Sequence, residues 1–86
     1  SRAELLALGA EPAVVLEDDG SPSLVATSSP VRLVPLPDDI VAMRGSDPAL
    51  AQRWREVVRA ALGPVVAAGG RAVSLTAEGD YVVEVG

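Results

Sequence analysis

The sequence predicts an α+β fold, in which a small antiparallel sheet of two hairpins plus a connecting strand packs on one long helix. Three observations support this class. Strand-like runs occur in both halves of the chain, Gly and Pro turn signals separate them, and one long apolar stripe with helical period lies between them. Because 86 residues leave room for one hydrophobic core, we predict a single domain over residues 1–86, in the order ββ-β-α-ββ after a short N-terminal helix.

The N-terminal part of the chain predicts a short helix and then a hairpin. Ser1 is placed to cap the helix and Gly9 to end it, with leucines supplying its apolar contacts. Residues 13–17 and 23–27 are strand-like runs, and the Asp-Asp-Gly and Ser-Pro sequences between them are typical of a turn. We therefore expect these two runs to pair as the first hairpin.

A third strand and a short helix are predicted next. In VRLVPL, Val31, Leu33 and Pro35 fall on one face of an extended chain, and the prolines at its end stop the strand. The acidic composition of residues 37–39 suits the positive end of a helix dipole. We expect one or two helical turns there, ending before Gly45.

The long helix is predicted for DPALAQRWREVVRAALG and the residues that follow. Asp47 is a suitable N-cap, and Pro48 suits the first helical position, where its missing N–H costs no hydrogen bond. Pro64 cannot donate to the carbonyl of Ala60, so we expect the helix to kink or thin there and to end at the glycine pair 69–70. The stripe predicted to face the core comprises Leu50, Trp54, Val57, Val58, Ala61 and Val65.

The C-terminal segment RAVSLTAEGDYVVEVG predicts the second hairpin. Two short strands flank the sequence Ala77-Glu78-Gly79-Asp80, whose composition favours a tight turn. A long helix packed on one face of an antiparallel sheet is the simplest arrangement of this order of strands, helix and strands.

Composition argues against several classes of function. The formal net charge is −5, from 12 acidic and 7 basic residues, so we expect no nucleic-acid partner. All the basic residues are Arg, and the chain has no His and no Cys, which removes the usual catalytic base, the thiolate nucleophile and common metal ligands. We predict no catalytic and no metal-binding residue. No apolar run approaches the ~20 residues of a bilayer span, so we expect no membrane contact and take the cytoplasm as the location.

Acidic clusters and aromatic side chains are the next candidates for a site. The clusters at residues 17–19 and 38–39 lack the alternating ligands of a calcium loop, so we expect turn and helix-cap roles for them. Trp54 lies within the apolar stripe and is expected to anchor the core, while the role of Tyr81 stays open.

Arginines on the long helix are the candidate ligand-binding residues. Arg55 and Arg59 lie on one flank of the helix, one turn apart, and Arg53 lies on the opposite border of the stripe. Like charges at this spacing repel unless something anionic lies near them. One alternative is internal, with Glu56, Asp38, Asp39 or Glu84 as the partners. The other is a carboxylate or phosphate of a ligand held by Arg55 and Arg59.

Roughly the last half to two thirds of the chain resembles a known family. The text LVPLPDDIVAMRGSDPALAQRWREVVRAALGPVVAAGGRAVSLTAEGDYVVEV is similar to the C-terminal portion of a predicted GNAT-superfamily acetyltransferase family. Gly70 stands where that family tends to have an aromatic residue. The residues that carry the likeness are Pro37, Asp39 and Ile40, then 47–51, Trp54 and Arg55, then Gly69, Arg71, Tyr81 and Val82.

The resemblance implies that the chain is the C-terminal segment of an acyl-CoA-dependent N-acyltransferase. The acetyl-CoA loop of such proteins lies upstream of the matched region, so the segment would bind no cofactor and be inactive alone. It would shape the acceptor side or stabilise the catalytic domain, and acetyl-CoA is implied for the complete protein. A first residue of Ser rather than Met also favours a fragment.

An alternative interpretation makes the chain a stand-alone interaction or dimerisation module without catalytic activity. It would pair through a sheet edge or through the helix flank where Leu62 and Val66 extend the stripe. The expected partner is therefore an upstream catalytic domain or a second copy of the chain, in which case a homodimer forms.

Overall fold

A computed structural model describes residues 1–37 and 39–85 as three helices and six strands, and it confirms the predicted α+β class. The part of the predicted helix start that falls on Asp38 lies outside the described residues. In chain order, the elements are α1 (Arg2–Ala7), β1 (Glu11–Pro12), β2 (Val14–Leu16), β3 (Pro22–Leu24), β4 (Val31–Pro35), α2 (Ile40–Ser46), α3 (Pro48–Ala67), β5 (Arg71–Leu75) and β6 (Asp80–Glu84).

The main sheet has four strands in the order β1-β4-β6-β5. Strands β4, β6 and β5 are antiparallel neighbours, as predicted, with Leu33 opposite Val82 and Val34 opposite Tyr81. Strand β1 was not expected, and it pairs with β4 in parallel over two residues. The side chains of β4 and β6 therefore alternate between two faces of one sheet.

The first hairpin, β2–β3, pairs as predicted but forms a separate two-stranded sheet. The physical reason lies at Ala13, whose N–H donates to the carbonyl of Leu33 at 2.8 Å while its own carbonyl accepts from the N–H of Val25 at 2.9 Å. Backbone pairing thus changes from β4 to the hairpin at a single residue. The strands are shorter than expected because the turn begins at Glu17, whose N–H donates to the Ser21 carbonyl at 2.8 Å.

Helix α2 differs from the sequence prediction at its C-terminal end. It begins as expected, with Asp39 as N-cap accepting from the N–H of Ala42 at 2.9 Å. Gly45 lies inside the helix rather than ending it. The stop comes at Asp47, whose N–H donates to the Met43 carbonyl at 2.7 Å. Asp47 also caps α3, accepting from the N–H of Leu50, so one residue joins the two helices.

Helix α3 continues through Pro64 to Ala67, as expected for the residues after the proline, and the predicted kink at Pro64 stays a prediction. It ends as predicted at the glycine pair: Gly69, at φ 80°, donates to the Val66 carbonyl and Gly70 donates to the Val65 carbonyl. Its buried side chains are Ala51, Trp54, Val57, Ala61 and Val65, whereas Leu50 and Val58 of the predicted stripe are half-buried.

The two faces of the main sheet are covered by helices of different length. On the long-helix face, Val34 and Val83 pack with α3 residues and with β2. On the short-helix face, Leu33 and Val82 pack with Ala10 and with half-buried Leu5 and Val31. Helix α1 has no buried residue of its own. The core therefore lies mainly between α3, the hairpin and the sheet.

Candidate functional site

The strongest candidate for a binding site is a cavity of about 250 Å³ between α2 and α3, here called the α2–α3 pocket. Within the described residues, its wall is apolar apart from the guanidinium groups of two arginines. Both helices and the residues after β4 contribute to it, because the single-residue link at Asp47 brings α2 and α3 together. The lining residues are Leu36, Pro37, Ile40, Arg44, Trp54, Arg55 and Val58.

Helix spacing explains how α3 lines this pocket. Trp54 and Val58 are one turn apart and belong to the predicted apolar stripe, while Arg55 follows Trp54 on the border of that stripe. Arg44 lies in the last turn of α2. An apolar floor with charged groups at its border is the usual composition of a small-molecule site.

Trp54 anchors the core, as predicted, and is 4% exposed. Within the described residues, its indole Nε1 is buried and has no hydrogen-bond partner. Trp54 also lines a second cavity of about 270 Å³ that reaches Leu16 of the hairpin and Met43 of α2. Trp54 therefore lines both cavities, together with Leu36 and Pro37.

The internal partners considered for the arginines are not found in the described part of the chain. Glu56 accepts a hydrogen bond from Gln52 Nε2 at 3.2 Å, and the ion pairs found among residues 1–37 and 39–85 join only Ser1 to Glu4 and Arg2 to Asp80. The partnership proposed for Asp38 falls outside the described residues.

Arg55 and Arg59 are placed differently by the fold. Both are exposed, but Arg55 lines the α2–α3 pocket and Arg59 is not among its lining residues. The structure instead brings Arg55 to the same pocket as Arg44. Sequence reasoning missed Arg44 because a basic residue in a last helical turn is explained equally well by the helix dipole. A ligand role for Arg55 with Arg59 stays a prediction.

A third cavity, of about 300 Å³, lies on the short-helix face between α1 and the sheet. A bulge between Ala72 and Ser74 adds Val73 to its wall, and Leu8 at its rim is 84% exposed. Leu5, Ala10, Val31 and Val82 supply most of the remaining wall. This face carries accessible apolar surface that α1 leaves uncovered.

Acidic side chains serve turns and caps, as expected for Asp19 and Asp39. Asp19 Oδ1 accepts from the Ser21 hydroxyl at 2.6 Å and from the Ser21 N–H at 3.0 Å, and these bonds hold the pKa of Asp19 below its usual value. Glu11 Oε1 accepts from the N–H groups of Ser29 and Ser28, which likewise lowers its pKa. Among residues 1–37 and 39–85, no group of three or more His, Cys, Asp or Glu side chains is placed to hold a metal ion.

No protein-family model, curated protein or solved structure matches the chain. Membership of an acetyltransferase family therefore stays a prediction. None of the helices in the described part of the chain has the length and apolarity needed to cross a bilayer.

Gly70 lies where the end of α3 packs against the last strand. A Cβ at this residue would lie 2.6 Å from Val65 Cγ1 and 2.8 Å from the Val65 carbonyl oxygen, and would also collide with the Glu84 carbonyl oxygen. The end of α3 and the last strand thus meet too closely for any side chain. An aromatic residue at this position would require the strand to move away from the helix.

Proposed function

We propose that this chain is the C-terminal accessory segment of a GNAT-like, cytoplasmic N-acyltransferase, which transfers an acyl group from acyl-CoA to an amine only as the complete protein. In this proposal, the segment docks on the upstream catalytic domain and contributes to the acceptor side. It binds no acetyl-CoA itself.

The observation that supports docking is the incomplete cover of the short-helix face. Leu8 is 84% exposed and Val73 is 41% exposed, beside a cavity whose wall is largely apolar. Contiguous apolar surface of this kind is characteristic of interaction sites. Ser1 begins α1 on the same face, so a domain that preceded it in a longer chain would be adjacent to this surface.

The first test is a calorimetric titration of the isolated chain with acetyl-CoA. We expect no binding, because the segment resembles the part of the family that follows the cofactor loop. Submillimolar binding of acetyl-CoA would overturn the accessory role. The reading frame upstream of Ser1 gives an independent check: it should encode a Gly-containing loop at a helix N-terminus. A frame that encodes no such loop contradicts the proposal.

A second candidate function, a dimerisation module, is favoured by the exposed flank of α3 and by the edge of the sheet. Val66 is 67% exposed, although Leu62 beside it packs partly against the core. Every residue of β5 is exposed, and in the described part of the chain this strand pairs only with β6. Exposed strand edges are common sites of pairing between copies.

Sedimentation velocity over a range of concentrations separates the two candidates. A dimer that dissociates on Val66→Glu but persists on Leu8→Glu would establish the α3 flank as the interface. Association abolished by Leu8→Glu alone would instead assign self-association to the short-helix face. A monomer at every concentration contradicts the dimerisation module and leaves docking on another domain as the role of the exposed surface.

A further inference from the structure

We propose that the α2–α3 pocket binds a small molecule with a carboxylate at one end and an apolar body, the carboxylate held by Arg44 and Arg55. The identification of this ligand as the acyl acceptor rests on the proposed function. Binding itself is a property of this chain and can be measured on it alone.

The size of the pocket restricts the ligand. Its volume of about 250 Å³ lies just below the range of roughly 300–1,000 Å³ typical of sites for drug-sized molecules. The occupant is therefore small, of the size of a six-carbon acid or an apolar amino acid.

The chemistry of the wall selects the body of the ligand. Leu36, Ile40 and Val58 present aliphatic surface, and Trp54 adds an aromatic one. Burying apolar groups of the ligand against such a wall contributes roughly 25 cal/mol per Å² of surface removed from water, before the cost of association. A purely polar ligand would gain nothing from these side chains.

Charge selects the other end of the ligand. The chain carries a formal net charge of −5, yet both charged residues among the described lining of this pocket are arginines. They come from different helices, Arg44 from α2 and Arg55 from α3, and both line this one pocket. Each guanidinium offers a planar pair of donors that matches a carboxylate.

Trp54 gives a direct readout, because it is the only tryptophan in the chain and lies in the wall of the pocket. The experiment titrates the chain with hexanoate, hexanamide and hexylamine while Trp54 emission is recorded. Titration to about 10 mM covers the weak affinities expected of small ligands. We expect a saturable change with hexanoate, a weaker one with hexanamide and none with hexylamine.

Substitutions then locate the carboxylate. Arg44→Gln and Arg55→Gln should each weaken hexanoate binding by about three- to tenfold, the range for a charged hydrogen bond at a partly solvated site. Arg53→Gln is the matched control, since Arg53 lies on the same helix, is exposed and does not line the pocket. Circular dichroism of each variant checks that the fold is retained.

Several results would overturn the proposal. Equal affinities for hexylamine and hexanoate would show that the apolar wall alone binds the ligand and that the two arginines do not select a carboxylate. Absence of a saturable change with hexanoate, confirmed by unchanged backbone amide shifts around the pocket, would show that the pocket is not a site. An effect of Arg59→Gln equal to that of Arg55→Gln, with none for Arg44→Gln, would move the anion to the outer flank of α3.

The acceptor role is tested separately with L-leucine, which adds an amine to an apolar carboxylate. Binding of both hexanoate and L-leucine supports an acceptor site. If hexanoate binds but the upstream frame encodes no acetyl-CoA loop, the α2–α3 pocket is still a carboxylate-binding site, and the acyltransferase proposal fails. If that loop is found and neither ligand binds, the pocket proposal fails alone.

Discussion

The two faces of the main sheet have the same kind of strand residues but very different cover. On the long-helix face, α3 spans 20 residues and buries five side chains, of which Val57, Ala61 and Val65 pack in one cluster with the sheet and with β2. On the short-helix face, α1 spans six residues, buries none completely and leaves Leu8 84% exposed. Alternation along β4 and β6 supplies apolar groups to both faces, so the difference comes from the helices.

This contrast suggests a division of roles between the two faces of the sheet. The long-helix face supplies most of the stability of the fold, and the short-helix face is the one available for interaction. A helix as short as α1 is marginal without tertiary contacts, whereas α3 presents a long stripe that matches the sheet. We therefore expect perturbations on the long-helix face to change global stability. Perturbations on the short-helix face should instead change local order and association.

The largest effect is expected at Gly70, where the end of α3 meets β6. Gly70→Ala should lower the free energy of unfolding by about 3 kcal/mol, because the new Cβ collides with backbone carbonyls that cannot rotate away. Urea denaturation followed by circular dichroism measures the change. Gly45→Ala is the control. Apart from its chain neighbours and the adjoining backbone of α2, no atom lies within 4 Å of the position that its methyl group would occupy, so a gain of up to about 1 kcal/mol is expected.

The next effect compares two neighbours on α3. Val65 is 1% exposed within the core, and Val66 is 67% exposed. Val65→Ala should destabilise the chain by about 2 kcal/mol through lost burial and a residual cavity, whereas Val66→Ala should stay within about 0.5 kcal/mol. Thermal and urea unfolding of both variants provide the measurement. Equal losses would mean that the flank at Val66 is covered in solution, as in a dimer.

A smaller loss of stability is expected on the short-helix face, when the ion pair that joins α1 to β6 is removed. Arg2 Nη1 lies 3.6 Å from Asp80 Oδ1, and Asp80 is 2% exposed while the Arg2 side chain is 36% exposed. Arg2→Ala should lower global stability by about 1 kcal/mol, because the Arg2 end of the pair is solvated but the buried Asp80 Oδ1 loses the charged group beside it. It should nevertheless increase hydrogen exchange at the amides of Leu5 and Leu8, which α1 protects. Unchanged exchange there would show that the Arg2 side chain is not needed to hold α1, which keeps its apolar contacts and the hydrogen bond from the Arg2 N–H to Glu78 Oε1.

The smallest effect concerns the edge of the sheet and depends on pH. Hydrogen bonds from Ser29 and Ser28 hold the pKa of Glu11 below its ordinary value of 4.5. Because the folded pKa is the lower one, this stabilisation is complete above about pH 4.5 and is lost as pH falls through the folded value. The stability difference between wild type and Glu11→Gln should therefore shrink on acidification. A difference that is independent of pH from 7 to about 3 contradicts this assignment.

Much of the fold could be predicted because its signals are local. Asp47 and Pro48 begin the long helix, the glycine pair ends it, and the buried positions recur at helical spacing. The stop of α2 was not predictable from Gly45, since glycine is only mildly unfavourable inside a helix and Asp47 supplies the actual end. The separate hairpin sheet was also missed, because it depends on which strand Ala13 bonds.

The candidate site was only half predictable. Arg55 stood out on the helix as a charge beside an apolar stripe, but its neighbour in the pocket is Arg44 rather than Arg59. Spacing along one helix identifies residues that share a flank. It says nothing of which residue a second helix brings to that flank.

The sequence by itself thus determined the fold class, the long helix with its core face, and the turns, because caps, turn residues and periodicity act over a few residues. Tertiary structure alone decided the rest: the unequal cover of the two sheet faces, the contact at Gly70 that excludes a side chain, and the placement of Arg44, Arg55 and Trp54 in the wall of one pocket. Those features depend on distances between segments far apart in the chain, which packing sets and local propensity does not.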